Sequence, residues 1–182
     1  TPQEDAELQN ELLRDEKELA EHNMLVDLGR NDLGRISEFG SVRVEKYMSI
    51  LKFSHVMHIG SEVSSKIKRG LDAVDAVDSV LPAGTLSGAP KLRAMEIIDE
   101  LENNRRGIYG GGIGYIDLAG NLDISIAIRL AYAKNGRVYI RSGAGIVADS
   151  VPEKEDAECK NKARAVMAAL ERSGGDGNGA AD

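Results

Sequence analysis

The 182 residues contain no tryptophan, and aromatic side chains make up only 4% of the chain. Proteins that read single-stranded nucleic acid stack bases on aromatic rings, so that platform is missing. A net charge of −7 points the same way, because a phosphate backbone attracts basic surfaces. There is one cysteine, Cys159, which excludes a disulfide framework and suggests a reducing compartment, the cytoplasm. Three histidines and that lone cysteine have no paired spacing of the kind zinc needs. No apolar run approaches the ~20 residues that span a bilayer, and no signal-like segment opens the chain. Neither nucleic acid nor membrane is therefore expected as a partner. The chain starts TPQEDAELQN, without Met, either by trimming or because it is a piece of something longer. What is present, 42% apolar residues, is enough to build one domain or part of one.

The segment DEKELAEHNMLVDLGRND, Asp15 to Asp32, draws attention first. Wound as a helix, it places Glu18, Glu21, Leu25 and Leu28 within an arc of about 80°, with His22 at the edge. A surface helix turns its acids away from its leucines, and buried carboxylates are costly unless paired, hydrogen-bonded or bound to metal. Near the other end, in PEKEDAECKNKARAVMAAL, the same arithmetic puts Glu155, Glu158, Lys162, Val166 and Ala169 on one stripe. Two E-x-x-E helices that converge would gather four carboxylates. Mg²⁺, a hard cation, takes one or two carboxylates and leaves room for an anionic ligand. Acids at the rim of a core, satisfied by Arg or Lys, explain each stretch separately.

Taken in order, residues 4–28 read as one helix that Gly29 stops. GRNDLGRISEFGS then reads as an ordered loop, with Arg30, Asn31 and Asp32 tying the helix end. Residues 42–63 are strand-like, with His55 and His58 in alternation with Val56, Met57 and Ile59. LDAVDAVDSVL is an amphipathic helix facing inward through Leu71, Val74, Val77 and Leu81, and Pro82 ends it. Gly84, Thr85, Ser87 and Gly88 form a small-residue loop before a helix starting near Pro90. The loop can offer N–H groups and hydroxyls to an anion, or simply cap a helix; it lacks Walker spacing.

Strands follow over 107–117, 122–133 and 137–150, the last two joined by an Asn-Gly hairpin signal. On the middle run Ile124, Ile126, Ile128 and Leu130 take one face, and Ser125, Ala127, Arg129 and Ala131 the other. An Arg among small residues has room for a carboxylate, which a guanidinium binds bidentately; an ion pair across the sheet is the alternative. The glycines at 110–112, 143 and 145 allow close approach to the backbone, or mark bulges. The last helix starts near Ser150, with its acids at the N-terminus, and ends before Gly174. Residues 174–182 read as a disordered tail.

The motifs E-L-x-E-H-x-M-L-V-D-L-x-R-N-D, V-M-H-I, P-A-G-T-L-S-G-A-P-K, Y-G-G-G-I-G-Y, I-A-I-R and G-A-G-I-V-x-D-S-x-P-x-x-E-x-x-E-x-x-N-K-A-R-A occur here in that order. They resemble the chorismate-utilising enzymes, and among them the anthranilate synthase large subunits. The resemblance covers residues 1–173, as the C-terminal portion of a chorismate-binding catalytic domain. It implies an α/β fold of mainly antiparallel sheet with outer helices, part of that family's two-sheet sandwich.

The resemblance also implies roles. Glu21 and Glu158 stand at Mg²⁺-ligand positions, with Glu18 and Glu155 as companions, and the ion would hold the ring carboxylate of chorismate. Tyr109 and Arg129 stand where the family binds the enolpyruvyl carboxylate. The backbone of Gly143, Ala144 and Gly145 would close on the substrate, and Lys162 would pair with an acid or with the substrate. Thr85 matches a pocket-lining position and His58 the histidine tied to pyruvate elimination. A glutamine amidotransferase subunit would supply ammonia. Two family segments, I-x-G-T and Ser-Pro-Glu, would fall before Thr1, so this chain alone is expected to turn over little or nothing. Two other readings stand beside this one. One is a relative with another chorismate product, an aminodeoxychorismate, isochorismate or salicylate synthase; the other is a non-catalytic subdomain that binds metal or a partner. The G-T-L-S-G-A-P-K loop favours the anthranilate group.

Overall fold

A computed structural model describes residues 1–53 and 56–175; Ser54, His55 and the tail 176–182 fall outside it. The fold is α/β, with short antiparallel sheets and helices, as expected. Its contacts divide it into two compact units. The first comprises Thr1–Asn103 and Gly114–Asp123; the second comprises Asn104–Ile113 and the chain from Ile124 onward.

The first unit begins with two helices where the sequence suggested one: α1 (Pro2–Leu12) and α2 (Glu16–Ile36). Asp15 breaks them apart. Its side chain accepts from the N–H groups of Lys17 and Glu18 and caps α2, as aspartate does at helix starts. The expected stop at Gly29 does not occur. A glycine inside a helix costs about 1 kcal/mol relative to alanine, too little to end one whose apolar positions go on through Leu33 and Ile36. Arg30, Asn31 and Asp32 therefore lie inside the helix, not in a loop; Arg30 pairs with Asp27 one turn back.

Strands β1 (Arg43–Lys52) and β2 (Met57–Ser64) form an antiparallel pair. Its register shifts between Val44 and Lys46 and again between Lys46 and Ser49. Met48, at φ 52°, takes up the second irregularity, and its N–H reaches the Ser61 hydroxyl at 3.0 Å. Helix α3 (Ala73–Val80) starts at the N-cap Asp72. It turns Ser79 inward but leaves Val74 63% exposed, against the face read from the sequence. The Gly84–Thr85–Ser87 segment is not a loop but a single helical turn, α4 (Gly84–Ser87). Gly88, at φ 98°, then redirects the chain into α5 (Lys91–Leu101), whose N-cap is Pro90.

Strands β3 (Gly112–Ile116) and β4 (Leu122–Ile126) pair as a two-stranded sheet. Their turn is tied by Asp117, which accepts from the N–H groups of Ala119 and Asn121 and from the Asn121 amide. The run 122–133 is not one strand. It breaks at Arg129, which sits at φ 55°, so the two faces drawn for it beyond Ile126 do not form. Pairing resumes in β5 (Ala131–Lys134) with β6 (Arg137–Ile140). They are joined through Asn135 and Gly136, both at positive φ, the two-residue hairpin that Asn-Gly favours. Residues 141–150 are irregular, not strand. Helix α6 (Pro152–Gly175) then packs on β6 and runs through Gly174 and Gly175, past the expected stop.

Candidate functional site

In the second unit, several of the residues singled out by sequence lie close together. Tyr109 is 9% exposed, with its ring flanked by the Arg141 guanidinium 5.9 Å from the centroid. A Cβ added at Gly143 would stand 3.1 Å from the Tyr109 hydroxyl, so only a residue without a side chain lets the backbone come that close. Lys162 on α6 donates to the Gly143 carbonyl at 3.3 Å and forms an ion pair with Glu158 one turn back. Glu155, a further turn toward the N-terminus, is 5% exposed. The Ser142 hydroxyl donates to the Cys159 carbonyl at 2.8 Å, fastening the glycine segment to α6 a second time. Ala144 and Gly145 continue that segment and are half-buried.

The stripe read on α6 is thus real from Glu155 to Val166, whereas Ala169 is exposed. Arg129 is exposed at its positive-φ corner. Among the described residues, no hydrogen bond or ion pair involves its guanidinium, and the cross-sheet ion pair does not form.

The first unit carries the remaining candidates. Glu18 is exposed and Glu21 half-buried on α2. The inward positions beside them are taken by His22 and the buried Val26. His22 Nε2 lies 2.7 Å from the Ser61 hydroxyl, the same hydroxyl that receives the Met48 N–H. Burial lowers the His22 pKa below its usual value, because the charged form loses solvation. His58 is exposed on β2, opposite Leu51, with its ring edge-on to Phe53 at 5.9 Å. Thr85 is exposed on α4. His55, read as the neighbour in alternation with Val56, lies outside the described residues.

Sequence reading missed one strong contact. Lys91, at the start of α5, places its ammonium 2.7 and 2.9 Å from the two carboxylate oxygens of Asp32 on α2. No local signal announces it, because the two partners lie 59 positions apart. Asp32 seemed a helix cap only because α2 was expected to end at Gly29.

Among the described residues, no group of three or more His, Cys, Asp or Glu side chains is placed to hold a metal ion. The carboxylates come in twos on each helix. All of these donors are oxygens, the kind a hard cation takes. Lys162 already brings a positive charge to Glu158, so a metal there would share that acid with the ammonium or displace it. On donor type alone, each acid pair is one that Mg²⁺ would accept.

The chain belongs to a known family of enzymes: residues 1–168 match the chorismate binding enzymes. It is 59% identical over 174 residues to anthranilate synthase component 1 of Acetivibrio thermocellus and 58% identical over 171 residues to that of Aquifex aeolicus. These alignments take in 96% and 94% of this chain. The chain spans about a third of those curated relatives, 35% in both cases. Its fold matches the crystal structure of anthranilate synthase component I from Streptococcus pneumoniae with a TM-score of 0.86 and 54% identity, over 90% of this chain and 38% of that one. An isochorismate synthase structure from Bacillus anthracis, described as specific for 2,3-dihydroxybenzoate, matches with a TM-score of 0.82 at 28% identity, over 93% of this chain and 45% of that one.

Proposed function

We propose that this chain is the C-terminal portion of an anthranilate synthase component I. The whole enzyme would convert chorismate and ammonia to anthranilate, pyruvate and water in tryptophan biosynthesis. It would work in the cytoplasm, with a glutamine amidotransferase subunit as the source of ammonia. Identity favours this product over its relatives': 54% to 59% against proteins of that name, 28% against the isochorismate synthase. The observation that carries the substrate assignment is the neighbourhood in the second unit, where the Tyr109 hydroxyl, the Gly143 backbone and the Lys162 ammonium lie together. A phenol and an ammonium beside a bare backbone make an anion-binding wall, and chorismate is a dianion.

In this reading Tyr109 and Arg129 take the enolpyruvyl carboxylate, and Gly143, Ala144 and Gly145 let the ring approach the backbone. On the family's pattern Glu21 with Glu18 on α2, and Glu158 with Glu155 on α6, are Mg²⁺-ligand positions, and the ion would supply neutralising charge at the ring carboxylate. Lys162 keeps Glu158 oriented and adds positive charge at the same wall. Ammonia adds at C2 of the ring while the C4 hydroxyl leaves as water. His58, exposed on β2, then removes the C2 proton. The electron pair of that C–H bond completes the aromatic ring, the C3–O bond breaks, and the enolpyruvyl group departs to become pyruvate. Thr85 lines the pocket in this scheme.

Calorimetric titration of chorismate with and without Mg²⁺ tests the assignment. Metal-dependent binding that disappears in Glu21→Ala and in Glu158→Ala supports it; binding indifferent to metal and to both substitutions overturns it. Turnover of the chain alone, followed by anthranilate fluorescence with ammonium as nitrogen donor, is expected to be negligible. A kcat typical of complete enzymes, ~1 s⁻¹ or more, would contradict that expectation.

A further inference from the structure

The Asp32–Lys91 ion pair takes no part in the scheme above, yet it is among the least exposed charged contacts in the molecule. Asp32 is 8% exposed, and the side chains of Lys91 and Asp32 retain 20% and 11% of their exposure. The ammonium contacts both carboxylate oxygens. A buried pair of this kind is weak evidence for net stability, because desolvation offsets most of the attraction. Its strength lies in fixing one arrangement, since either charge alone in that place is costly.

What it fixes is the segment from Ala83 to Pro90. At its start, the Gly84 backbone lies directly on Leu28: a Cβ there would stand 2.7 Å from Leu28 Cδ1 and 2.8 Å from Leu28 Cβ. At its end, Lys91 reaches Asp32. Leu28 and Asp32 are one turn apart on the same stripe of α2, and that stripe carries Glu21 two turns earlier. The segment is therefore pinned along α2 at two successive turns, and Thr85 stands next to the first pin. The ion pair sets how far along α2 the second pin falls, and so the height and tilt of α4.

We infer that Asp32 and Lys91 are a positioning pair that holds α4, and with it Thr85, at a fixed register on the α2 stripe that bears Glu21. The inference rests on the proposed chorismate chemistry for its consequence in turnover, but not for its geometry. Placement errors of an ångström at a reacting centre can cost on the order of 100-fold in rate. A pair whose only effect was on folding would lower stability without loosening this one segment.

The test uses the full polypeptide that carries this chain, in Mg²⁺, with three variants: Lys91→Met, Lys91→Arg and the charge exchange Asp32→Lys/Lys91→Asp. Two readouts are taken at a temperature where each variant is folded. The first is amide hydrogen exchange over residues 84–88. The second is kcat and KM for chorismate. Lys91→Met is expected to speed exchange in 84–88 by about 10-fold or more and to lower kcat by about 10- to 100-fold, with a smaller change in KM. Lys91→Arg, which keeps a two-point contact with the carboxylate, and the charge exchange are expected to recover part of both losses. Lowered melting temperature with unchanged exchange over 84–88 would overturn the inference, as would faster exchange with normal kcat. If the unsubstituted polypeptide makes no anthranilate, the proposed function fails, and the exchange data still decide whether the pair pins the segment.

Discussion

Helices α2 and α6 carry the same E-x-x-E signal and end up in different states. On α6 the first acid, Glu155, is buried and the second, Glu158, is held by Lys162, which also reaches across to the Gly143 carbonyl. On α2 the first acid, Glu18, faces solvent, Glu21 is half-buried, and the inward places belong to His22 and Val26. The sequence period is identical; the neighbours are not. The irregular segment after β6 offers α6 a polar backbone, against which a Lys–Glu stripe can be satisfied. Strand β2 offers α2 the Ser61 hydroxyl, which a neutral histidine can bond. A helical stripe says which residues share a face, and the surface across from it decides which of them go under.

The largest effect that would break this contrast is on ligand binding. On the proposed function, Glu155→Gln is expected to weaken Mg²⁺-dependent chorismate binding by about 10-fold or more, the size seen when groups supporting a metal site are altered. Glu18→Gln, at an exposed position, should weaken it by no more than about 3-fold. Calorimetry on both variants checks the order, and equal effects would mean that burial does not distinguish the two helices.

Next comes Gly84→Ala. The added methyl meets Leu28 at 2.7 Å, and such overpacking costs about 1–3 kcal/mol by urea denaturation. The penalty should shrink in a Leu28→Ala background. Gly143→Ala meets the Tyr109 hydroxyl at 3.1 Å, a milder conflict, and should cost less than Gly84→Ala while affecting chorismate affinity more.

Lys162→Met removes the charge that ties Glu158 to the Gly143 carbonyl. A loss of about 1.5 kcal/mol or less is expected, at the low end for hydrogen bonds to charged groups because the pair is partly solvated.

The smallest effect belongs to an acid on neither helix. Asp117 is held below the ordinary carboxylate value near 3.8 by the Asn121 side-chain amide and then by backbone N–H groups of the turn. Because its folded pKa is depressed, its contribution is complete above that ordinary value and fades as pH falls through the folded one. Asp117→Asn should therefore lower stability slightly at neutral pH and leave it unchanged at the acid end, so that the acid limb of the profile is flatter. Thermal melts between about pH 2 and 6 would read it.

Much of the architecture was legible from local rules. The Asn135–Gly136 hairpin, the Asp72-capped α3 and the Pro152 start of α6 all follow from short-range chemistry that needs no partner. The failures have one cause. Gly29 looked like a stop because local propensity favours one, but a helix with apolar positions on both sides of a glycine gains more from packing than the glycine costs. The run 122–133 looked like one strand because its alternation continues unbroken, and nothing local announces the positive φ at Arg129.

The candidate site divides in the same way. The residue types on α6 and in the 143–145 segment were readable, because small, acidic and basic residues at fixed spacing announce a face. The Asp32–Lys91 contact was not, since its partners lie 59 positions apart, and no periodicity links them. By itself, then, the sequence determined the chemical inventory: which helices carry acids, which turns close tightly, and which family the motifs resemble. Tertiary structure alone decided which acid is buried, which is answered by a lysine, and which glycine has a neighbour pressed against it. Each of those outcomes depends on a surface supplied from far along the chain, and the energy of burying a charge is set by that surface, not by the residue that carries it.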